Sequence, residues 1–220
     1  MYDGLQGVNE NTQSNWAEYN RGIQFEYLVT EMRSDNTRSA TTEGSKADFH
    51  RYLVNANNVE VEDYYASMYE IIFRANSVLS FIDVADPANV DTYTGEAQFL
   101  RAYAYLNLVR LFGDIPLVTS TVNPDDESVF MRVSVARIYE QIISDLSDAV
   151  SLLDNGGSKS RASKGAAQAL LAKAYLSQPS PNYTEAQRLC EDVISGGEYS
   201  LLGNFNDVFY SERNDELIFV

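Results

Sequence analysis

The sequence predicts a mainly α protein built from stacked helical hairpins, and three observations favour that fold class. Apolar residues recur at steps of three and four along several segments, which is the period of an amphipathic helix. One of these segments, residues 96–112, carries apolar residues on almost every side, so it must be buried nearly all round. Two segments also repeat one short pattern at a fixed distance along the chain. A helix enclosed by other helices in a stack accounts for all three observations.

The first clear helix is predicted for residues 62–85. The stripe on its buried face consists of Tyr65, Met68, Ile72, Ala75, Leu79 and Ile82. Asp86 and Pro87 end it, because the residue before a proline is pushed out of the helical region. Residues 14–32 have a similar pattern and predict an earlier helix that carries Trp16 and Tyr19.

The all-round apolar segment is predicted to form a helix from Glu96 to Phe112. Thr94 is its expected N-cap, and Glu96 would favour the positive end of the helix dipole. Gly113 and Pro116 stop the helix soon after Phe112. The sequence thus predicts a buried helix with sharply defined ends.

Three further helices are predicted after it, at residues 135–153, 164–177 and 184–195. Ser163 is the expected N-cap of the second of these helices. Gly165 and Ala169 belong to a run of small residues, which we expect to allow a close contact with a neighbouring helix. The apolar run at residues 216–220 predicts a minor strand near the C-terminus.

The repeated pattern joins residues 100–106 to residues 170–176. Both segments read Leu-x-Ala-x-Ala-Tyr-Leu, and they begin 70 positions apart, at residues 100 and 170. Two tetratricopeptide-type hairpins of about 34 residues each nearly account for that distance. In such a stack an inner helix contacts its own partner and both neighbouring repeats. We therefore expect tetratricopeptide-like hairpins.

Composition excludes several classes of function. A net charge of −16 argues against nucleic-acid binding, which needs clustered Lys and Arg. Cys190 is the single cysteine, expected on a buried helix face, so no intrachain disulfide can form. His50 is the single histidine, and no nucleophile motif or second histidine supports a catalytic triad or a zinc site. The sequence therefore predicts no cofactor and no metal.

A long polar stretch, residues 33–61, separates the two earliest helices. A connection this long within a compact domain is usually functional or disordered, although a simple surface insertion is equally compatible with the pattern. Loops positioned by a rigid scaffold often carry binding residues. Arg38, His50 and Tyr52 are the candidate ligand-binding residues, because together they offer a stacking face and hydrogen-bonding groups.

Several short motifs, spread in order over nearly the whole chain, are similar to those of one family. They occur at residues 31–36, 74–76, 96–103, 110–118, 161–167, 195–201 and 214–219. On these motifs the chain resembles the SusD/RagB family of outer-membrane nutrient-binding lipoproteins. The resemblance implies a SusD-like fold with residues 1–220 as a single N-terminal helical-repeat domain, truncated at both ends relative to the family. The lipid-carrying cysteine and the leader would lie upstream.

The same resemblance implies a non-enzymatic, surface-exposed protein of the cell outer membrane. Such a protein binds an oligosaccharide or another nutrient and works as the lid partner of a SusC-like, TonB-dependent transporter. It carries over no catalytic residue and no sugar-contacting residue. Two other classes stay open on the residues alone: a helical-repeat scaffold for a protein partner, and a glycosidase that uses paired carboxylates. The acidic residues scatter over predicted solvent faces, which argues against the glycosidase.

Overall fold

The computed structural model describes residues 1–6, 22–34, 36–40, 44–123, 125–211 and 213–219. The chain divides into two compact units, Met1–Ile71 and Ile72–Val220, and the boundary falls within one long helix. Each unit is described by itself below.

The described part of the first unit contains two short helices and the beginning of a long one. They are α1 (Gly22–Val29), α2 (Ala47–His50) and α3 (Val59–Ser80), with 3-10 turns at Tyr2–Gln6 and Glu31–Arg33. Its buried apolar side chains include Leu28, Met32, Ala47, Phe49 and Tyr64. The helix predicted at residues 14–32 is described only from Gly22 onward, and Trp16 and Tyr19 lie outside the described residues.

The polar stretch 33–61 is partly helical rather than a continuous loop, because it contains α2 and the start of α3. Asn58 explains why α3 begins at Val59 instead of the predicted residue 62. Its side-chain oxygen accepts a hydrogen bond from the Glu60 backbone N–H at 3.0 Å, which satisfies a donor in the first turn of the helix. The Asn58 amide nitrogen donates to the Ser45 carbonyl at 2.9 Å and to the Asp48 carboxylate at 3.2 Å. Asn58 therefore ties α3 to the segment that carries α2.

The second unit is a stack of four long helices in which each packs on the next. After α3, they are α4 (Val90–Phe112), α5 (Val135–Leu152), α6 (Lys164–Ser177) and α7 (Tyr183–Ser195). A short helix, α8 (Asp207–Tyr210), follows. The stack confirms the predicted fold class of helical hairpins. The two copies of the repeated pattern lie on α4 and α6, and α5 packs on both of these helices.

Helix α4 is buried nearly all round, as predicted. Buried residues lie on every side of it, from Gly95 and Ala97 to Leu108 and Val109. Its start was predicted wrongly: α4 begins at Val90, and Thr94 lies inside it rather than at the N-cap. The reason is local, since Asp86 caps a 3-10 turn at Pro87–Asn89 that leads directly into α4.

The N-caps of the later helices follow the sequence more closely. Ser163 Oγ accepts from the Ala166 backbone N–H at 3.1 Å, so the predicted cap of α6 is confirmed. Ser134 caps α5 and Asn182 caps α7 in the same way. Each cap satisfies a backbone donor that has no partner within its helix.

A two-stranded antiparallel sheet lies between α4 and α5, in the middle of the chain rather than near its C-terminus. Strand β1 (Ile115–Pro116) pairs with β2 (Arg132–Val133). Residues 213–219 form turns and irregular chain instead. The ring of Phe219 packs edge-on against that of Phe99 on α4, with centroids 5.5 Å apart. Phe219, one of the predicted strand residues, thus packs against α4, and Val220 lies outside the described residues.

Two side-chain predictions also need correction. Cys190 is exposed, because only Ala186 and Leu189 of α7 face the stack closely enough to be fully buried. Gly165 makes its close contact with the Tyr199 ring rather than with a helix, and Ala169 is only half-buried. Among the described residues, no helix is long and apolar enough to cross a membrane.

Candidate ligand-binding surface

The three candidate residues lie in the first unit, on and around α2. Arg38 is exposed in the chain before α2, His50 is the last residue of α2, and Tyr52 follows two residues later. The chain next to Arg38 passes close to His50, because the Ser39 backbone bonds the His50 ring. Tyr52 is tied to a different part of the same unit.

The His50 ring is oriented by the backbone before α2. The Ser39 backbone N–H donates to His50 Nδ1 over 3.4 Å. Because Nδ1 acts as the acceptor, the neutral ring carries its proton on Nε2, which makes Nε2 the donor. A half-buried histidine held in this way can offer one directed hydrogen bond next to the exposed Arg38.

Tyr52 presents an aromatic ring to solvent from an unusual backbone conformation. Its φ angle is +56°, in the left-handed region that few residues other than glycine adopt. The hydroxyl donates to the Arg33 carbonyl at 2.9 Å, while 64% of the residue stays exposed. The ring is therefore held at its tip with much of its surface open. Strained conformations of this kind tend to occur at functional sites.

A second polar cluster, in the second unit, was not anticipated as a set. Arg101 on α4 is 5% exposed and donates through Nε and Nη2 to the two Asp145 carboxylate oxygens on α5, at 2.8 and 2.6 Å. Gln141 also donates to Asp145, and Arg101 Nη1 donates to the Asn76 side-chain oxygen at 2.8 Å. The one signal in the sequence was an arginine in the middle of a helix predicted to be buried on all sides.

Within that cluster the pKa of Asp145 is raised, so its neutral form is more favoured than it would be in water. Burial raises the pKa of Asp145 above its ordinary value, although hydrogen bonds and charge from Arg101 and a hydrogen bond from Gln141 act in the opposite direction. Glu96, also buried on α4, pairs with Arg161, whose Nε lies 2.6 Å from Glu96 Oε1. The described residues contain no cluster of three or more His, Cys, Asp or Glu that could hold a metal ion.

Comparison with known proteins agrees with this arrangement of helices. Residues 6–176 match a SusD-like family model described as "Starch-binding associating with outer membrane". The chain belongs to the SusD-like family. The resemblance seen in the short motifs is thereby confirmed.

Individual SusD-like proteins are similar to this chain in sequence and in structure. The SusD-like protein P25 of Formosa agariphila is 31% identical over 174 residues, which cover 75% of this chain and 32% of the relative. A solved structure called a laminarin-binding SusD-like protein superposes with a TM-score of 0.76 at 26% identity, covering 98% of this chain and 47% of that one. A structure with xylogluco-oligosaccharide superposes with a TM-score of 0.81 at 22% identity, covering 99% and 44%, and shows the shared fold.

The chain is much shorter than these SusD-like relatives. It spans between 28% and 40% of the curated relatives that it matches. It likewise spans less than half of each of the two solved structures described above. The comparisons therefore concern less than half the length of each of these relatives.

Proposed function

We propose that this chain is the helical-repeat part of a non-enzymatic glycan-binding or nutrient-binding protein of the cell surface. The observation that carries the proposal is the family match over residues 6–176. A relative at 26% identity is described as laminarin-binding, which makes an oligosaccharide the first ligand class to test.

The surface around α2 is the proposed place of ligand contact. Arg38 and His50 supply hydrogen-bond donors, and Tyr52 supplies an exposed ring. Sugars suit such a surface, since their C–H faces stack on aromatic rings while their hydroxyls accept and donate hydrogen bonds. Tyrosine combines an apolar face with a polar tip, and here the Arg33 carbonyl already holds that tip.

The proposed setting is the outer membrane, with a SusC-like TonB-dependent transporter as the partner on which the protein acts as a lid. The family description, which mentions association with the outer membrane, supports this setting. We further propose that residues 1–220 act as one helical-repeat domain in which residues 33–61 form a functional insertion.

Calorimetry on this chain tests the ligand proposal. The ligands are laminari-oligosaccharides, xyloglucan oligosaccharides and malto-oligosaccharides, titrated into the parent, His50→Ala and Tyr52→Ala. We expect one saccharide class to bind the parent. Each replacement should weaken binding by about tenfold or more, since a hot-spot side chain contributes about 2 kcal/mol or more and about 1.4 kcal/mol corresponds to tenfold in affinity.

Tyr183→Ala is the matched control, because Tyr183 is an exposed tyrosine, 70% accessible, on α7 rather than near α2. It should bind as tightly as the parent. Equal affinity in all four proteins would place the contacts elsewhere in the chain. Binding of no saccharide at all would favour the alternative, a helical-repeat scaffold for a protein partner.

A further inference from the structure

The chain that leaves β1 is attached to the helical stack in an unusual way. Residues 117–123 form no strand or helix, and their backbone is held by side chains from α3 and α4. Tyr105 Oη accepts from the Val118 N–H at 2.7 Å and donates to the Val118 carbonyl at 2.8 Å. Asn76 Nδ2 donates to the same carbonyl at 3.0 Å and to that of Ser120 at 3.3 Å.

Arg101 completes this attachment. Its Nη1 donates to the Thr119 carbonyl at 2.9 Å, while its other nitrogens are held by Asp145. Three consecutive carbonyls, at residues 118, 119 and 120, thus bind donors whose own positions are fixed within the stack.

Burial is strongly unequal on the two sides of this contact. Asn76, Arg101, Tyr105 and Asp145 are each at most 5% exposed. Residues 119–123 are exposed, and Leu117 and Val118 are only half-buried. The segment therefore contributes little apolar burial, so its attachment depends mainly on hydrogen bonds.

The charges remain satisfied if the segment leaves. Arg101 would keep its two bonds to Asp145 and its bond to the Asn76 oxygen, and water could bond the donors that Thr119, Ser120 and Val118 release. The most costly outcome for a buried ion pair is that one charge is left unpaired. Detachment of residues 117–123 does not cause that outcome, because Arg101 and Asp145 stay paired. Segments with few buried apolar contacts open locally at free energies well below that of global unfolding.

We propose that Asn76, Arg101 and Tyr105 form a latch, and that residues 117–123 open as a local unit while α4 and α5 stay folded. The latch is a conformational device of the fold and does not depend on the ligand proposed above. Arg101 and Asp145 form its fixed part, and the bonds to residues 118–120 form the part that releases.

Amide exchange of Val118, followed by NMR on the full chain at low denaturant concentrations, tests the latch. We expect Val118 to exchange faster than the core amides of α5 and with a weaker dependence on denaturant. Asn76→Leu removes two bonds to the segment and one acceptor of Arg101, but leaves the Asp145 pair of Arg101 and the Tyr105 acceptor in place. It should speed Val118 exchange by about tenfold or more relative to the α5 amides.

Glu96→Gln is the matched control, because it weakens another pair formed by a buried residue of α4, away from residues 117–123. It should change Val118 exchange no more than it changes the exchange of the α5 amides.

If Asn76→Leu does not fold, Tyr105→Phe replaces it, with thermolysin cleavage next to Val122 as the measurement. Cleavage should then accelerate while the helices remain intact by circular dichroism. Val118 exchanging only with global unfolding in the parent, or equal acceleration by Glu96→Gln, would overturn the proposal.

Discussion

At the scale of single residues, Arg101 shows how a charge can occupy the most buried helix of the stack. A buried cation is tolerated when it is paired and its remaining donors are satisfied. Asp145 accepts two of its bonds, and Asn76 and Thr119 accept two more. None of these three partners could be read from the sequence; Asp145, for example, lies 44 positions away on another helix.

Removing one member of this pair should cost much more than removing both. Arg101→Met and Asp145→Leu should each lower the free energy of unfolding by about 3–5 kcal/mol, because each leaves a buried charge unpaired. The double variant should recover much of that loss. Urea unfolding followed by circular dichroism measures all four proteins. Losses that simply add in the double variant would contradict the pairing.

The raised pKa of Asp145 predicts a dependence of stability on pH. Its folded pKa lies above the value of 3.8 expected in the unfolded chain. Folding is therefore favoured by this group below pH 3.8, and that advantage is lost as pH rises through the folded pKa. The unfolding free energy of the parent minus that of Asp145→Asn should be largest near the acid limit and fall to a plateau. Carboxylates that do not interact with Asp145 cancel in this difference, and a difference that grows with pH would contradict the prediction.

At the scale of elements, helix ends were predicted best where a cap acts locally. Ser163 at the start of α6 and Gly113 at the end of α4 mark boundaries through groups within a few residues. The start of α4 was missed because a proline turn joins it directly. Gly165 is the opposite case. The sequence predicted that its small size allows a close contact, but not that the contact is with Tyr199. A Cβ at Gly165 would lie 2.5 Å from the Tyr199 ring, which comes from 34 positions further along the chain.

That contact makes Gly165 sensitive to the smallest possible enlargement. Gly165→Ala should lower the free energy of unfolding by about 1–3 kcal/mol, because the tightly packed ring must shift. Thermal unfolding measures the loss. Gly157→Ala is the control, since a Cβ there meets no atom within 4 Å. Equal stability of the Gly165 variant and the parent would show that the Tyr199 ring does not pack tightly on α6.

At the scale of the whole molecule, the buried carboxylates of each unit are engaged in structural roles. Among the described residues, Glu60 accepts from Ser45, Glu96 pairs with Arg161, and Asp145 pairs with Arg101. A glycosidase needs two carboxyl groups that flank the bond to be cleaved. Engagement in bonds of this kind is typical of carboxylates that support a fold.

We therefore predict no hydrolysis of laminari-oligosaccharides or xyloglucan oligosaccharides by this chain. Each saccharide is incubated with the protein, and reducing ends are measured over a day against a buffer control. Release of reducing ends that disappears on replacing one carboxylate by its amide would contradict this prediction and the proposed non-enzymatic function.

The sequence by itself determined the helical fold class, the all-round burial of α4 and the positions of most helix ends. Each depends on periodicity or on groups a few residues apart, so a single chain segment contains the information. It also contained the motifs that indicated the family. For residues 33–61 the sequence shows which side chains are present. It does not show the hydrogen bonds that orient His50 and Tyr52.

Only the tertiary structure decided which distant residues meet. The partners of Arg101, the ring against Gly165, the exposure of Cys190 and the mid-chain sheet all depend on how helices pack. Packing brings together groups tens of positions apart, and many residues of similar type could have filled each place. The latch on residues 117–123 is of the same kind, because its donors come from two helices and its acceptors from the chain that follows them.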